Sequence, residues 1–210
     1  TIESLPTTTP RLALQAARYR WLFTLLYIGG LRISEVCNNS MGDFYWRTGV
    51  DGRERWWLEV RGKGKKTRVI PATDELVSEL MRYRKANNLA PLPREGDSLA
   101  LLLPLIGSAR PMGRSGVHQL VKDIFRETAA RLRALGPDHE GAAAHVEQAS
   151  AHWMRHTAGT HQSNSMDLKA VRDLARPVTL TEIKAEPALS KMSLVTSMRL
   201  SVQPVTDDEW

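Results

Sequence analysis

The feature that most constrains the fold of this chain is a change in the spacing of its apolar residues. From Leu12 to Ile28 the chain is dense in apolar side chains over a length typical of a helix, and Gly29-Gly30 then ends the run. Between Asp43 and Pro71, short aromatic and β-branched runs alternate with glycine-containing turns, which is typical of strands. Later in the chain the apolar residues return to helical spacing. The sequence therefore predicts a group of strands enclosed between helices.

The individual elements are predicted from local signals of the same kind. A second short helix is expected to start near Arg32, and Thr73 is expected to cap a helix that ends near Lys85. Apolar residues from Val117 to Leu132 recur at helical spacing, whereas Gly136 to Ala149 is predicted to be a small-residue loop. The other predicted elements are strands at 44–46, 56–61 and 67–70, a buried strand or loop at 99–106, and helices near 152 and at 168–174.

The charge of the chain favours a polyanionic partner. Its 29 Lys and Arg residues outnumber 23 Asp and Glu residues, which gives a formal net charge of +6, and clustered cations gain affinity by releasing counterions from phosphates. Cys37 is the only cysteine, so no internal disulfide forms and a reducing, cytoplasmic environment is expected. The most apolar stretch, Leu99 to Ile106, is too short to span a bilayer, so no membrane partner is expected.

Arg32 is the first candidate site residue. It lies at the start of a short predicted helix, where the helix dipole disfavours a positive charge by roughly several tenths of a kcal/mol. A bound anion would compensate for this cost, because helix N-termini bind phosphate and a guanidinium offers two donors. The alternative is an ion pair with Glu35, three residues later, on a solvated face. The sequence alone leaves both interpretations open.

The second candidate is the basic turn Gly62-Lys63-Gly64-Lys65-Lys66. Its glycines let the backbone turn tightly, and its lysines project from the tip of a predicted hairpin. Such a tip suits a DNA groove and would bring one of these ammonium groups to a scissile phosphate. The alternative is a solvated turn whose charges keep the strands from aggregating.

The third candidate is the segment Ala151-His152-Trp153-Met154-Arg155-His156-Thr157. On a helix, His152 and Arg155 share a face, where the imidazole donates to a phosphate oxygen and the guanidinium neutralises developing negative charge. A zinc site built from His152 and His156 is an alternative. The zincin pattern, however, places a glutamate directly after the first histidine, and here that residue is Trp153. A purely structural role for His156 also stays open.

In this order and spacing, the three segments resemble the motifs of the tyrosine recombinases, which include phage integrases and the bacterial Xer proteins. The family's first arginine lies in a motif like Gly30-Leu31-Arg32-Ile33-Ser34-Glu35, and its catalytic lysine in a hairpin like that from Gly62 to Pro71. The third motif is similar to His152-Trp153-Met154-Arg155-His156-Thr157. The resemblance covers about Trp21 to Leu174. It implies a mainly α catalytic domain with a small antiparallel β-sheet near its N-terminal part.

The resemblance also implies DNA strand-transfer chemistry and a role for each candidate residue. Arg32 and Arg155 would clamp the scissile phosphate. Lys63 would protonate the leaving 5′ oxygen, and His152 would help to bind and orient the phosphate. In the family this chemistry passes through a 3′-phosphotyrosyl bond and needs no metal and no cofactor. The implied partner is double-stranded DNA, and assembly of a homo-oligomer on DNA stays open.

The same resemblance implies a division of the chain and exposes a gap in the match. Residues 1–10 are expected to be the end of a linker, 11–174 the catalytic domain, and 175–210 a divergent tail. The tail should carry the nucleophilic tyrosine, yet the four tyrosines all precede His152; they are Tyr19, Tyr27, Tyr45 and Tyr83. Because the match stops abruptly, a frameshift or a rearranged 3′ end of the coding DNA is the preferred explanation, with gradual divergence or a natural alternative end as the alternative.

Three functions are compatible with these residues. The first is a recombinase catalytic domain that is defective in strand cleavage as this chain stands. The second is a DNA-binding or regulatory module that uses the same phosphate clamp without chemistry. The third is a remnant that does not fold stably. The first two differ in whether a nucleophile arrives from another protomer, and a cooperative thermal transition would exclude the third.

Overall fold

The computed structural model of the chain describes residues 1–48, 52, 54–62, 67–105, 111–154 and 157. The chain divides into two compact units, Thr1–Arg155 and His156–Trp210, and all the elements described below belong to the first. Its helices are α1 (Pro10–Tyr27), α2 (Ile33–Asn38), α3 (Asp74–Ala86), α4 (Arg114–Ala134) and α5 (Glu140–Gln148). Its strands are β1 (Phe44–Thr48), β2 (Glu54–Arg61) and β3 (Thr67–Pro71).

Helix α1 is the centre of the core. It starts at Pro10 because the hydroxyl of Thr9 accepts a hydrogen bond from the backbone N–H of Leu12 (3.3 Å), and proline suits the first helical position. Trp21 is fully buried, and its ring stacks on that of Tyr83 in α3 at a centroid distance of 5.9 Å. The indole N–H of Trp21 donates to the carbonyl of Leu101 (2.7 Å), which fixes the irregular segment 99–105 against the helix.

The three strands form one antiparallel sheet in the order β1-β2-β3. Phe44 pairs with Leu58 across β1 and β2, and both side chains are buried on the face that packs on the core. The alternate positions Trp57, Glu59 and Val69 lie on the opposite face. The predicted combination of a mainly helical chain and a small antiparallel sheet is therefore confirmed.

The segment from 136 to 149 corrects the sequence prediction, because it is not a loop. A 3-10 turn at Pro137–His139 leads into helix α5, which packs along α4. Ala143 is buried in that contact, and Arg133 of α4 forms ion pairs with Glu140 (3.1 Å) and Glu147 (2.8 Å) of α5. Alanines have a high intrinsic helix propensity, and the partner helix supplies the remaining stabilisation.

The first ten residues pack on the domain. A 3-10 turn at Ile2–Ser4 places Ile2 and Leu5 against the core, and Glu3 forms an ion pair with Arg20 (3.0 Å). The assignment of residues 1–10 as the end of a linker stays a prediction, as does the boundary at 174. The predicted helix at 168–174 and the tail 175–210 lie outside the described residues. None of the helices in the described ranges combines the length and the apolar character needed to cross a membrane.

Candidate functional site

A cleft of about 640 Å³ opens where α2, the β2–β3 hairpin and the start of α4 come together. Four arginines line it, one or two from each of these elements. The described lining residues are Arg32, Ser34, Asn38, Arg61, Gly62, Thr67, Arg68 and Arg114. Gly62 and Thr67 are the described residues directly before and after 63–66 in the sequence, so both described ends of the hairpin line the cleft. This cleft is the candidate site.

Arg32 lies at the N-cap of α2, with extended backbone angles. Its backbone N–H donates to the Glu35 carboxylate (2.8 Å), and its side-chain Nη1 donates to the other oxygen of the same carboxylate (3.0 Å). The ion pair with Glu35 that the sequence left open is therefore formed. The Arg32 side chain is nevertheless 57% exposed and lines the cleft. The pair orients the guanidinium and leaves it accessible to an anion, so the two interpretations of Arg32 are compatible.

Glu35 is the buried anchor of the cleft, with a side chain only 1% exposed. Both terminal nitrogens of Arg68 in β3 donate hydrogen bonds to the carboxylate, Nη1 at 2.5 Å and Nη2 at 2.9 Å. Burial alone raises the pKa of Glu35, but the hydrogen bonds from Arg68 and from the backbone N–H of Arg32 together outweigh it, and the net pKa lies below the usual value. Glu35 is therefore ionised at neutral pH and links α2 to β3.

A second contact fixes the end of β2 against α2. Asn39 is buried, and its carboxamide oxygen accepts from the backbone N–H of Arg61 (3.0 Å), while its Nδ2 donates to the carbonyl of Glu35 (2.7 Å). The Arg61 side chain in turn pairs with Asp43 at 2.9 Å. Both ends of the basic turn are thus tied to α2, through Asn39 on the β2 side and through Glu35 on the β3 side.

The described part of the cleft carries more positive than negative charge. Arg32 and Arg68 pair with Glu35, and Arg61 pairs with Asp43 and Glu59, so four guanidinium groups stand against three carboxylates. An excess of cations in a concave site raises the local concentration of anions. Guanidinium forks in particular match the oxygens of a phosphate. The cleft is therefore suited to an oxyanion such as a backbone phosphate.

The predicted site residues differ in how far the structure places them. His152 lies exposed on the helical turn 151–154, which Ala151 and Met154 anchor in the core. It does not belong to the cleft lining as far as the described residues show. Lys63 and Arg155 lie outside the described residues. Of the predicted set, Arg32 is the residue that lines the cleft among the described residues, and the roles given to all four stay predictions.

Three lining arginines were missed by the sequence analysis. Arg68 had a usable signal, because strand alternation puts it on the face of β3 that also bears the half-buried Ile70, and an inward-pointing arginine needs a buried partner. Arg61 and Arg114 had no comparable local signal, since their place in the cleft depends on how the hairpin and α4 pack. In the described ranges no cluster of three or more His, Cys, Asp or Glu side chains is arranged to hold a metal ion.

Comparisons with known proteins agree with this architecture. Residues 2–175 match the profile of the phage integrase family. The chain is 27% identical over 161 residues to tyrosine recombinase XerD of Rickettsia prowazekii (strain Madrid E), which covers 76% of this chain and 47% of that protein. It is 31% identical over 158 residues to tyrosine recombinase XerC of Chlamydia pneumoniae, which covers 75% and 42%. The match spans less than half the length of either relative.

A solved structure shows the same fold. The XerH site-specific recombinase, bound to palindromic difH substrate in a post-cleavage complex, superposes with a TM-score of 0.51 at 21% identity. The superposition covers 93% of this chain and 44% of that one. At this level of identity the similarity concerns the fold.

Proposed function

Because the chain belongs to the phage integrase family of tyrosine recombinases, we propose that it binds double-stranded DNA and holds a backbone phosphate in the arginine cleft. The observation that carries this proposal is the convergence of four arginines on one cleft, with Arg32 anchored on the buried Glu35. A preoriented guanidinium loses less side-chain entropy when it binds phosphate than a free one. The DNA substrate in the XerH complex adds support for the class of ligand.

The family chemistry assigns roles around this phosphate. Arg32 and Arg155 would neutralise the charge that develops on the non-bridging oxygens in the transition state. Lys63, on the turn tied to α2 at both ends, would protonate the leaving 5′ oxygen. His152 would donate to a phosphate oxygen and keep it oriented. The supporting observation is that the described ends of the Lys63 turn and the Arg32 side chain line the same cleft.

We further propose that this chain binds DNA without cleaving it. Its four tyrosines all precede His152 in the sequence, and none of them is among the described residues that line the cleft. Tyr83 is buried, its hydroxyl accepts from the backbone N–H of Leu103 (2.9 Å), and burial raises its pKa to about 12. Tyr19 is also buried, and Tyr27 and Tyr45 belong to α1 and β1. Cleavage would need a nucleophile other than these four tyrosines, such as one from another protomer.

The same observation favours a second candidate function, a DNA-binding or regulatory module without any strand-transfer step. The two candidates are separated by a suicide DNA substrate, in which a nick next to the cleavage site traps a covalent intermediate. We expect no protein–DNA adduct on a denaturing gel with this chain alone. An adduct that maps to the tyrosine of an added cleavage-competent relative, and that is absent with the relative alone, would support the recombinase role over the binding module.

DNA binding itself is tested by the salt dependence of affinity. If the four cleft arginines each contact a phosphate, the slope of log K against log salt for a mixed-sequence duplex is about −3.6, and affinity falls steeply from low to moderate salt.

Arg32→Ala should weaken binding, whereas Lys63→Ala should change it less because the lysine acts on the leaving group. Arg126→Ala is the matched control, since Arg126 is exposed on α4, pairs with Asp123 and does not line the cleft. Affinity that does not change with salt would refute the proposal.

A further inference from the structure

We propose that Arg18 is a positioning residue for the cleft, and that it acts through Met112 to fix the start of α4 and thereby Arg114. The inference rests on the proposed function, in which Arg114 is one of the four arginines that line the cleft. Arg18 lies in the middle of α1, is only 7% exposed and is not among the described residues of the cleft lining. Its guanidinium is too buried to contact DNA, so any effect on binding has to pass through other residues.

Arg18 is a buried cation that has no carboxylate partner in the part of the chain that the structure describes. Its Nε has no hydrogen-bond partner there, and its Nη1 donates to the sulfur of Met112 at 4.0 Å. A thioether sulfur is a weak acceptor, and burial lowers the pKa of this guanidinium. A second buried arginine, Arg84, instead donates to Asp97 (2.8 Å) and to the carbonyl of Ala90 (2.7 Å). Arg18 is therefore held at a cost to stability, which is typical of a residue kept for function.

Met112 connects Arg18 to the first turn of α4. Its sulfur meets the guanidinium, and its methyl carbon lies 3.3 Å from the point where a side chain on Gly116 would begin. Because residue 116 is a glycine, the methionine side chain can lie close against the helix. Met112 also directly precedes Gly113, the N-cap of α4, and Arg114 is the first residue of that helix. A shift of Met112 therefore moves the backbone from which the Arg114 side chain reaches the cleft.

The start of α4 has little local support of its own. Gly113 offers no side-chain acceptor to the first backbone N–H groups, and the first turn contains no acidic residue to stabilise the positive end of the helix dipole. Val117 is buried, but it lies three residues after Arg114. The contact between Met112 and Arg18 therefore supplies a tertiary restraint that this helix end does not have by itself.

Cys37 reports the position of Arg114 without any DNA. Arg114 lowers the pKa of the Cys37 thiol, and alkylation rates measured over a pH series follow the thiolate and so give this pKa. Arg18→Met keeps an unbranched side chain and removes the cation. If Arg18 holds the start of α4, this variant should raise the Cys37 pKa, as Arg114→Ala does. Arg11→Met, at an exposed position of α1, is the matched control and should leave the pKa unchanged.

Duplex DNA titrations at several salt concentrations connect this shift to binding. Arg18→Met should weaken binding about three- to tenfold and make the salt slope shallower by up to about 0.9, the value for one lost phosphate contact. In an Arg114→Ala background it should change the affinity no further, because the two residues act through one contact. Met112→Leu keeps an apolar side chain and removes the sulfur, so it should reproduce part of both the pKa shift and the loss of affinity.

A thermal melt of each variant separates positioning from a purely structural role. Since it removes a buried cation without a carboxylate partner, Arg18→Met should melt at the wild-type temperature or above it. A lower melting temperature or a failure to fold would assign Arg18 a structural role and overturn the inference. So would an unchanged Cys37 pKa, or a loss of affinity that adds to that of Arg114→Ala. Wild-type protein that binds no DNA, with a Cys37 pKa that still responds to Arg18→Met, would instead refute the proposed function and support the link from Arg18 to Arg114.

Discussion

Removal of the Arg68 guanidinium should destabilise the whole domain, because it removes the main hydrogen-bond donor to the buried Glu35 carboxylate. Arg68→Met keeps the apolar stem and deletes two charge-assisted hydrogen bonds to Glu35. Breaking a fully buried pair costs about 3–5 kcal/mol. Here Arg68 is 35% exposed, and Arg32 still donates twice to the carboxylate. We therefore expect a decrease of about 2–3 kcal/mol in the free energy of unfolding.

A double-mutant cycle isolates the interaction. Glu35→Gln removes the charge with little change of shape, and the cycle with Arg68→Met gives a coupling free energy, which we expect to be about 1.5 kcal/mol or more. Urea unfolding, followed by tryptophan fluorescence with the buried Trp21 as a reporter, supplies the four free energies. Arg126→Met is the control for an exposed pair and should cost at most about 0.5 kcal/mol. A coupling below about 0.5 kcal/mol would refute the assignment of Glu35 as the anchor.

The pH dependence of the same cycle checks the charge state of Glu35. Its folded-state pKa lies below its usual value, since the hydrogen bonds from Arg68 and Arg32 outweigh the effect of burial. A carboxylate of this kind contributes stability above its unfolded pKa of about 4.3 and loses it as the pH falls through the folded value. The stability difference between the wild-type chain and Glu35→Gln should be constant near neutral pH and shrink below about pH 4. A difference that grows on acidification would contradict this.

Three further predictions test other parts of the structure. Burial raises the pKa of the Cys37 thiol, and the nearby Arg114 lowers it. Arg114→Ala should therefore raise this pKa and slow alkylation of this single cysteine near pH 8, as measured by mass spectrometry. Faster alkylation would argue against the proximity of Cys37 and Arg114. Tyr83→Phe leaves the backbone N–H of Leu103 without its acceptor and should lower the free energy of unfolding by about 1–2 kcal/mol in urea titrations; a neutral result would show that another group accepts from this N–H. The unit Thr1–Arg155 should also melt in a single cooperative transition, because residues from α1, the sheet, α3 and α4 share one core; a gradual, featureless melt would support the unstable remnant instead.

Local sequence signals were sufficient wherever an element depends on its own residues. Thr73 caps α3 as predicted, because a hydroxyl that accepts from the N–H of Leu76 acts within one turn. The strands were predicted from aromatic and β-branched runs, and these signals are as local as a helix cap. The family motifs also located Arg32, since its neighbours in the sequence build the helix start on which it lies.

Other features are decided only by contacts between residues that are distant in the sequence. Helix α5 was predicted to be a loop because its alanine-rich sequence has a weak apolar pattern, and it is held by Lys122 and Arg133 of α4. The buried state of Glu35 depends on Arg68, thirty-three residues later. Arg114 reaches the cleft because α4 packs on α2. A short stretch of sequence determines backbone propensity and helix caps. Which charged side chains form ion pairs, and which residues line a site, is decided only in the packed domain, because both depend on distant groups that come together and exclude water.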